Sequence, residues 1–239
     1  MKQVLLFFIA SFLVLSSFAQ DKIINDPNAE QRTVSSFHAL QVSQGIDVIL
    51  KQGSTEAVAV SAVETEYRDR IKTEVINGVL KIYYDIKLWK ELKNRDKKLK
   101  AYVSFKNLDR LNCSSGAEVK IDGSLNSATL AVNLSSGGRL TGDIKATSLE
   151  IEQNSGSTGR ISGTVESLKV ETSSGAHFYG YDLVTTKCDA QASSGSKIQI
   201  RVEKELIAKA SSGGGIIFKG SGGMSKVTTH SGGHIRKDS

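Results

Sequence analysis

Along the second half of the chain, apolar and polar side chains alternate with a period of two, in runs that end at a recurring Ser-Gly phrase. The phrase reads Ser114-Ser115-Gly116, Ser135-Ser136-Gly137, Asn154-Ser155-Gly156, Ser173-Ser174-Gly175, Ser193-Ser194-Gly195, Ser211-Ser212-Gly213 and His230-Ser231-Gly232. Successive glycines stand 21, 19, 19, 20, 18 and 19 residues apart. Low-complexity Ser/Gly sequence would not hold that spacing, so the pattern is an internal repeat with a period near 19.

Counting back from each phrase, the first, third and fifth positions are mostly apolar or small: Leu134, Val132 and Leu130, then Gln153, Ile151 and Leu149, then Thr172, Val170 and Leu168. Later repeats give Ala192, Ala190 and Cys188, then Ala210, Ala208 and Leu206. The residues between them are mainly polar, with Ala131 and Ile207 as exceptions, so each run is a strand with one buried face. A second short strand follows each phrase, as in Ala117 to Gly123 and Lys197 to Ile200. A unit this small cannot bury its apolar face alone. Stacked coils about 4.8 Å apart close a continuous core and pair each strand with its equivalents above and below.

These features predict an all-β chain, a right-handed parallel β-helix of about 19-residue coils. The hand follows from the general rule for parallel crossovers. Leucine-rich repeats would need a Leu-x-x-Leu-x-Leu frame and propeller blades about twice the period; a β-sandwich of short hairpins is the alternative. The Ser-Ser-Gly column reads as structural. Gly allows the positive φ of a tight bend, and stacked Ser hydroxyls can satisfy one another and the bend's backbone groups. Seven copies without a recurring His or acid partner do not make a nucleophile.

Residues 32–110 are β-rich without the Ser-Gly mark and read as an N-terminal cap or a set of irregular first coils, ahead of the repeat over 111–235 and a tail, 236–239. Asn77-Gly78 between two alternating runs, Ile71 to Ile76 and Val79 to Tyr84, predicts a hairpin. The basic stretch from Lys87 to Lys100 interrupts the strands as a short helix or a long hairpin tip. Within it, Trp89 is either a stacking platform for a sugar or packed beneath a solvated loop.

The first residues change the setting of the fold. Lys2, an apolar run from Val4 to Leu15 and a small-x-small ending at Ala19 read as a signal peptide over 1–19, followed by a loose lead-in over 20–31. No later segment is long and apolar enough for a transmembrane helix. Export to the periplasm, cell surface or medium is therefore expected. The net charge of +6, or +5 without Lys2, lacks an Arg-rich aromatic patch, and no nucleic-acid partner is expected.

Phe37-x-x-Leu40-x-Val42, Gly45-Ile46-Asp47-Val48 and Ile71-x-Thr73-x-Val75-x-Asn77-Gly78-x-Leu80-x-Ile82, followed by the Ser-Gly repeats, together span residues 32–235. In these residues the chain resembles the putative auto-transporter adhesin, head GIN domain family, of exported Bacteroidetes-type proteins. The family's Gly-Ile-Asn triplet ends here in Asp47, a residue with similar turn geometry. The resemblance implies a pectin-lyase-like β-helix, an adhesive role, and no active-site residue to carry over.

Two functions fit. The first is a non-catalytic binding or adhesion module of the cell envelope, recognising a surface polysaccharide or protein. The second is a polysaccharide lyase or hydrolase using an acidic face. Glu150, Glu152, Glu171 and Asp189 project outward on three successive coils, close enough for an acid/base pair or for Ca2+. Lys169 sits among them, so a solvated face is the competing reading and no cofactor is expected. His38, His177, His230 and His234 are scattered and form no metal motif. The last coil has weak inward residues, Thr229, Val227 and Ser225. It predicts either homo-oligomerisation through that coil or a strand containing Ile235 folded over the opening. Cys113 and Cys188 both face inward from coils four steps apart, roughly 19 Å along the axis, too far for a disulfide.

Overall fold

The computed structural model describes residues 26–86 and 96–238; the expected signal peptide and Trp89 lie outside them. In chain order the elements are β1 (Glu30–Arg32), β2 (Ala39–Val42), β3 (Asp47–Gln52), β4 (Ala57–Ser61), α1 (Thr65–Asp69), β5 (Ile71–Ile76), β6 (Val79–Tyr84), β7 (Lys100–Phe105) and β8 (Arg110–Cys113). The long strands β9 (Glu118–Leu134), β10 (Arg139–Gln153), β11 (Thr158–Thr172), β12 (His177–Ala192) and β13 (Lys197–Ala210) follow. The last coils hold β14 (Gly215–Lys219), β15 (Gly223–Thr229) and β16 (His234–Lys237). All sixteen strands join one sheet that winds into a parallel β-helix.

Each long strand bends round most of a coil and pairs in parallel with the next, in the register that the spacing of the phrases demands. Leu130, Leu149, Leu168, Cys188 and Leu206 are successive partners, as are Val132, Ile151, Val170, Ala190 and Ala208. On the far side of the corner, Val119, Leu140, Gly159, Phe178, Ile198, Ile216 and Ile235 form another inward column. Leu125, Ile144, Ile161, Val165, Leu183 and Val202 close the core. Each fully buried aliphatic or aromatic side chain stabilises the stack by about 1.5–3 kcal/mol. Volumes compensate between rungs: a Cβ on Gly159 would lie 3.3 Å from the Phe178 ring on the next coil.

The N-terminal segment contains a corner that carries no Ser-Ser-Gly phrase. The residues β2, Ser43-Gln44-Gly45 and β3 form a coil parallel to β8 and β9, with Gln44 and Gly45 at φ 61° and 69°. The Gly45 N–H donates to the Ser115 carbonyl at 3.0 Å, which places this corner on the same column as the later ones. Chain order and spatial order then part. β6 and β7, later in sequence, stack outside β2 and β3 in parallel. The antiparallel strands β5, against β6, β4, against β7, and β1, against β4, finish that end. The expected hairpin is β5 and β6, turned by Asn77 and Gly78 at φ 52° and 74°.

At the opposite end β16 continues the stack, parallel to β14, with Ile235 partly buried against the core. This corrects the expectation of a terminal strand folded over the opening, because Ile235 extends the Ile198–Ile216 column. Met224 and Val227 on β15 remain exposed. Cys113 and Cys188 are free, buried thiols, as their register requires. Burial pushes Cys113 up to about 11 and raises Cys188 further, so both stay protonated.

Candidate functional site

The corner column organises the surface around it. Each phrase is a type I′ turn: its second residue has φ of 48–53° and its Gly 69–78°. The N–H of the residue after the Gly donates to the carbonyl of the first at 2.8–3.1 Å. The N–H of each Gly from Gly116 to Gly213 then donates to the second-residue carbonyl of the next turn at 3.0–3.2 Å, a backbone ladder along the axis. This corrects the expected ladder of hydroxyls. Among the described residues, the hydroxyls of Ser115, Ser136, Ser174, Ser194 and Ser212 bond to no protein group and point outward. Because backbone groups satisfy the bend, the column of Ser side chains is left to face whatever meets the surface.

Beside this column runs a groove of about 580 Å3 crossing β10 to β13 and β15. One wall is the in-register column Glu152, Glu171, Gln191, Lys209 and Thr228. The other is the first turn position of each coil: Asn154, Ser173, Ser193, Ser211 and His230. The floor is Gln153, Thr172, Ala192 and Ala210, small or polar ends of the inward columns. One of these floor residues, Thr172, is held from within. Thr172 Oγ1 lies 2.8 Å from Ser196 Oγ, which also donates to the Thr172 carbonyl at 2.9 Å. The groove therefore presents a polar pair every rung, about 4.8 Å apart, from an acidic end at Glu152 to a basic end at Lys209 and His230.

The four acidic candidates separate onto two columns. Glu152 and Glu171 are partners on adjacent rungs and line the groove. Glu150 and Asp189 lie one column further from the corner, with Lys169 between them in register. The Lys169 ammonium contacts Glu150 at 2.6 Å and Glu171 at 3.2 Å, and these two carboxylates hold its pKa above the usual lysine range. One Asp189 oxygen is buried without a partner among the described residues. Among the described residues, no three His, Cys, Asp or Glu side chains gather as metal ligands. His230 does reach the groove, whereas His38 pairs with Asp109 at 2.9 Å on the opposite end of the molecule. The sequence reading missed the rest of the groove, Gln191, Lys209 and the first turn positions. The signal was present: these are the outward residues that flank each phrase on its N-terminal side.

Stacked coils with a regular polar groove beside the corner column define a solenoid of the parallel β-helix class. A family model described as putative auto-transporter adhesin, head GIN domain, matches residues 36–222, and the chain belongs to that family. Solved structures share the fold. A putative adhesin from Bacteroides fragilis NCTC 9343 has a TM-score of 0.79 and 15% identity over 88% of this chain and 96% of its own. A putative lipid binding protein from Parabacteroides distasonis ATCC 8503 has a TM-score of 0.70 and 20% identity, over 90% and 98%. A putative adhesin from the same strain gives 0.67 and 15%, over 88% and 96%. No curated protein matches the chain.

Proposed function

We propose that this protein is an exported, non-catalytic binding module of the cell envelope that holds an extended polysaccharide or polypeptide along the corner groove. The observation that carries the reading is the groove itself, which repeats one pair of polar positions on five successive coils. An extended polymer meets equivalent groups at each rung, so many weak hydrogen bonds add up along its length. The family description supports an adhesive role, and residues 1–19 support export. Among the described residues no helix is long and apolar enough to cross a membrane.

The enzymatic alternative rests on Glu152 and Glu171 standing on adjacent rungs. Against it, Lys169 engages Glu171 and Glu150 together, so Glu171 is held in an ion pair with an ammonium rather than left to meet a substrate oxygen. Glycan-array and whole-cell binding by the purified protein tests the proposal, with liposomes included because one structural relative is described as lipid binding. The expected result is retention of an extended surface polymer, lost on Gln191→Ala/Lys209→Ala. Cleavage of an acidic polysaccharide abolished by Glu171→Gln would replace this reading with the enzymatic one.

A further inference from the structure

The strand segments that follow each corner form a second face, separate from the groove. On it the outward positions of β11 to β14 bring cations and aromatic rings together. Arg160 and Tyr179 are partners on adjacent rungs, and the guanidinium lies over the ring at 4.8 Å from its centroid. His177 stacks with Tyr179 at 6.1 Å and 19°. Lys197 is the next partner after His177, and Lys219 Nζ lies 4.8 Å from the centre of the Tyr181 ring. Tyr181 is itself fixed by donating to Asp238 at 2.7 Å.

The charges on this face are unequal. Arg139, Arg201 and Arg236 each have a carboxylate, from Glu118, Glu203 and Asp238. Among the described residues, Arg160, Lys197 and Lys219 have none within 4.0 Å. We infer that this face binds an anionic polysaccharide, with Arg160, Lys197 and Lys219 each receiving an acidic group and Tyr179, Tyr181 and His177 holding the cations in place.

Spacing selects the class of ligand. Arg160 and Lys197 are two rungs and two residues apart, and Lys197 and Lys219 one rung and four residues, so neighbouring cations are separated by roughly 12–14 Å. That is too far to converge on one phosphate and suits a chain with repeating charges. A membrane is disfavoured because, among the described residues, Ile49 is the only large exposed apolar side chain in the Arg160 column, too little apolar surface to seat a bilayer. Single-stranded nucleic acid is disfavoured because Arg160 occupies the Tyr179 face on which a base would stack.

The proposal rests on the binding-module reading only for its cellular setting, since it uses a different face. Affinity electrophoresis of the purified protein through gels holding polygalacturonate, dextran sulfate or uncharged dextran tests it and distinguishes carboxylate from sulfate recognition. Retardation by at least one acidic polymer and not by dextran is expected, weakened about tenfold in Arg160→Ala/Lys219→Ala. Tyr179→Ala should also weaken it, while Lys72→Ala on the N-terminal hairpin, which removes a cation elsewhere, should not. Unchanged binding in Arg160→Ala/Lys219→Ala, or equal affinity for phosphatidylglycerol vesicles or single-stranded DNA, overturns the proposal. Binding to cells or neutral glycans without any acidic polymer sinks this face alone; binding to nothing sinks the proposed function as well.

Discussion

Replacing Gly195 by Ala isolates the conformational demand of the corner. Gly195 has φ of 71°, and a Cβ built there meets no atom within 4 Å, so the loss owes nothing to collision. An L-residue in the left-handed region costs roughly 1–2 kcal/mol, which sets the expected destabilisation. Ser194, at φ 51°, already bears part of such a cost, and Asn tolerates that region better. Ser194→Asn should therefore stabilise by a few tenths of a kcal/mol, making the turn Asn-Gly. Gly214 supplies the contrast, since its Cβ would lie 2.4 Å from the Ala192 carbonyl oxygen one coil away. Gly214→Ala must push two coils apart and should cost more, about 2–3 kcal/mol. Urea unfolding followed by circular dichroism measures all three. A neutral Gly195→Ala, or Gly214→Ala milder than it, would refute this account of the corner.

Three further outcomes follow from the packing and electrostatics. Leu206→Ala, in the middle of a fully buried column, should cost about 2–5 kcal/mol in the same assay. Cys113 and Cys188 should react with a thiol reagent only at the rate of unfolding, since both are buried and protonated. Glu203 accepts from Ser221 and Arg201, and these bonds lower its carboxyl from 4.5 to about 2. A depressed carboxyl stabilises the fold above its unfolded value and loses that contribution as pH falls from about 4.5 to about 2. Glu203→Gln should flatten the stability profile in that window; an unaltered acid limb there would show that the contacts do not persist in solution.

Much of the stack was legible because the inward positions repeat in phase with the corner. Gln153 and Thr172 were placed inward by position alone, although their chemistry argues otherwise, and both are buried. The corner at Ser43-Gln44-Gly45 escaped because Gln replaces the second Ser and because β4 to β7 are inserted before the next corner, breaking the period. Spatial order was not readable either, since nothing local tells β6 and β7 to stack outside β2 and β3. A register shift between Gly180 and Val184 carries Tyr181 outward, where it meets Lys219, and a strict 19-residue frame cannot anticipate that. Of the acidic candidates, Asp189 has one oxygen buried, and Lys169, known to lie among them, ties Glu150 and Glu171 together.

Equilibrium titration of a surface polymer identified by array or cell binding, run on the wild type and on Gln191→Ala/Lys209→Ala with the polymer's chain length checked afterwards, tests the central claim most directly. The account predicts saturable binding that strengthens with polymer length until five coils are spanned, falls in the groove variant, and leaves the polymer intact. Length-independent binding that the groove variant leaves unchanged, or a shortened polymer, would contradict it.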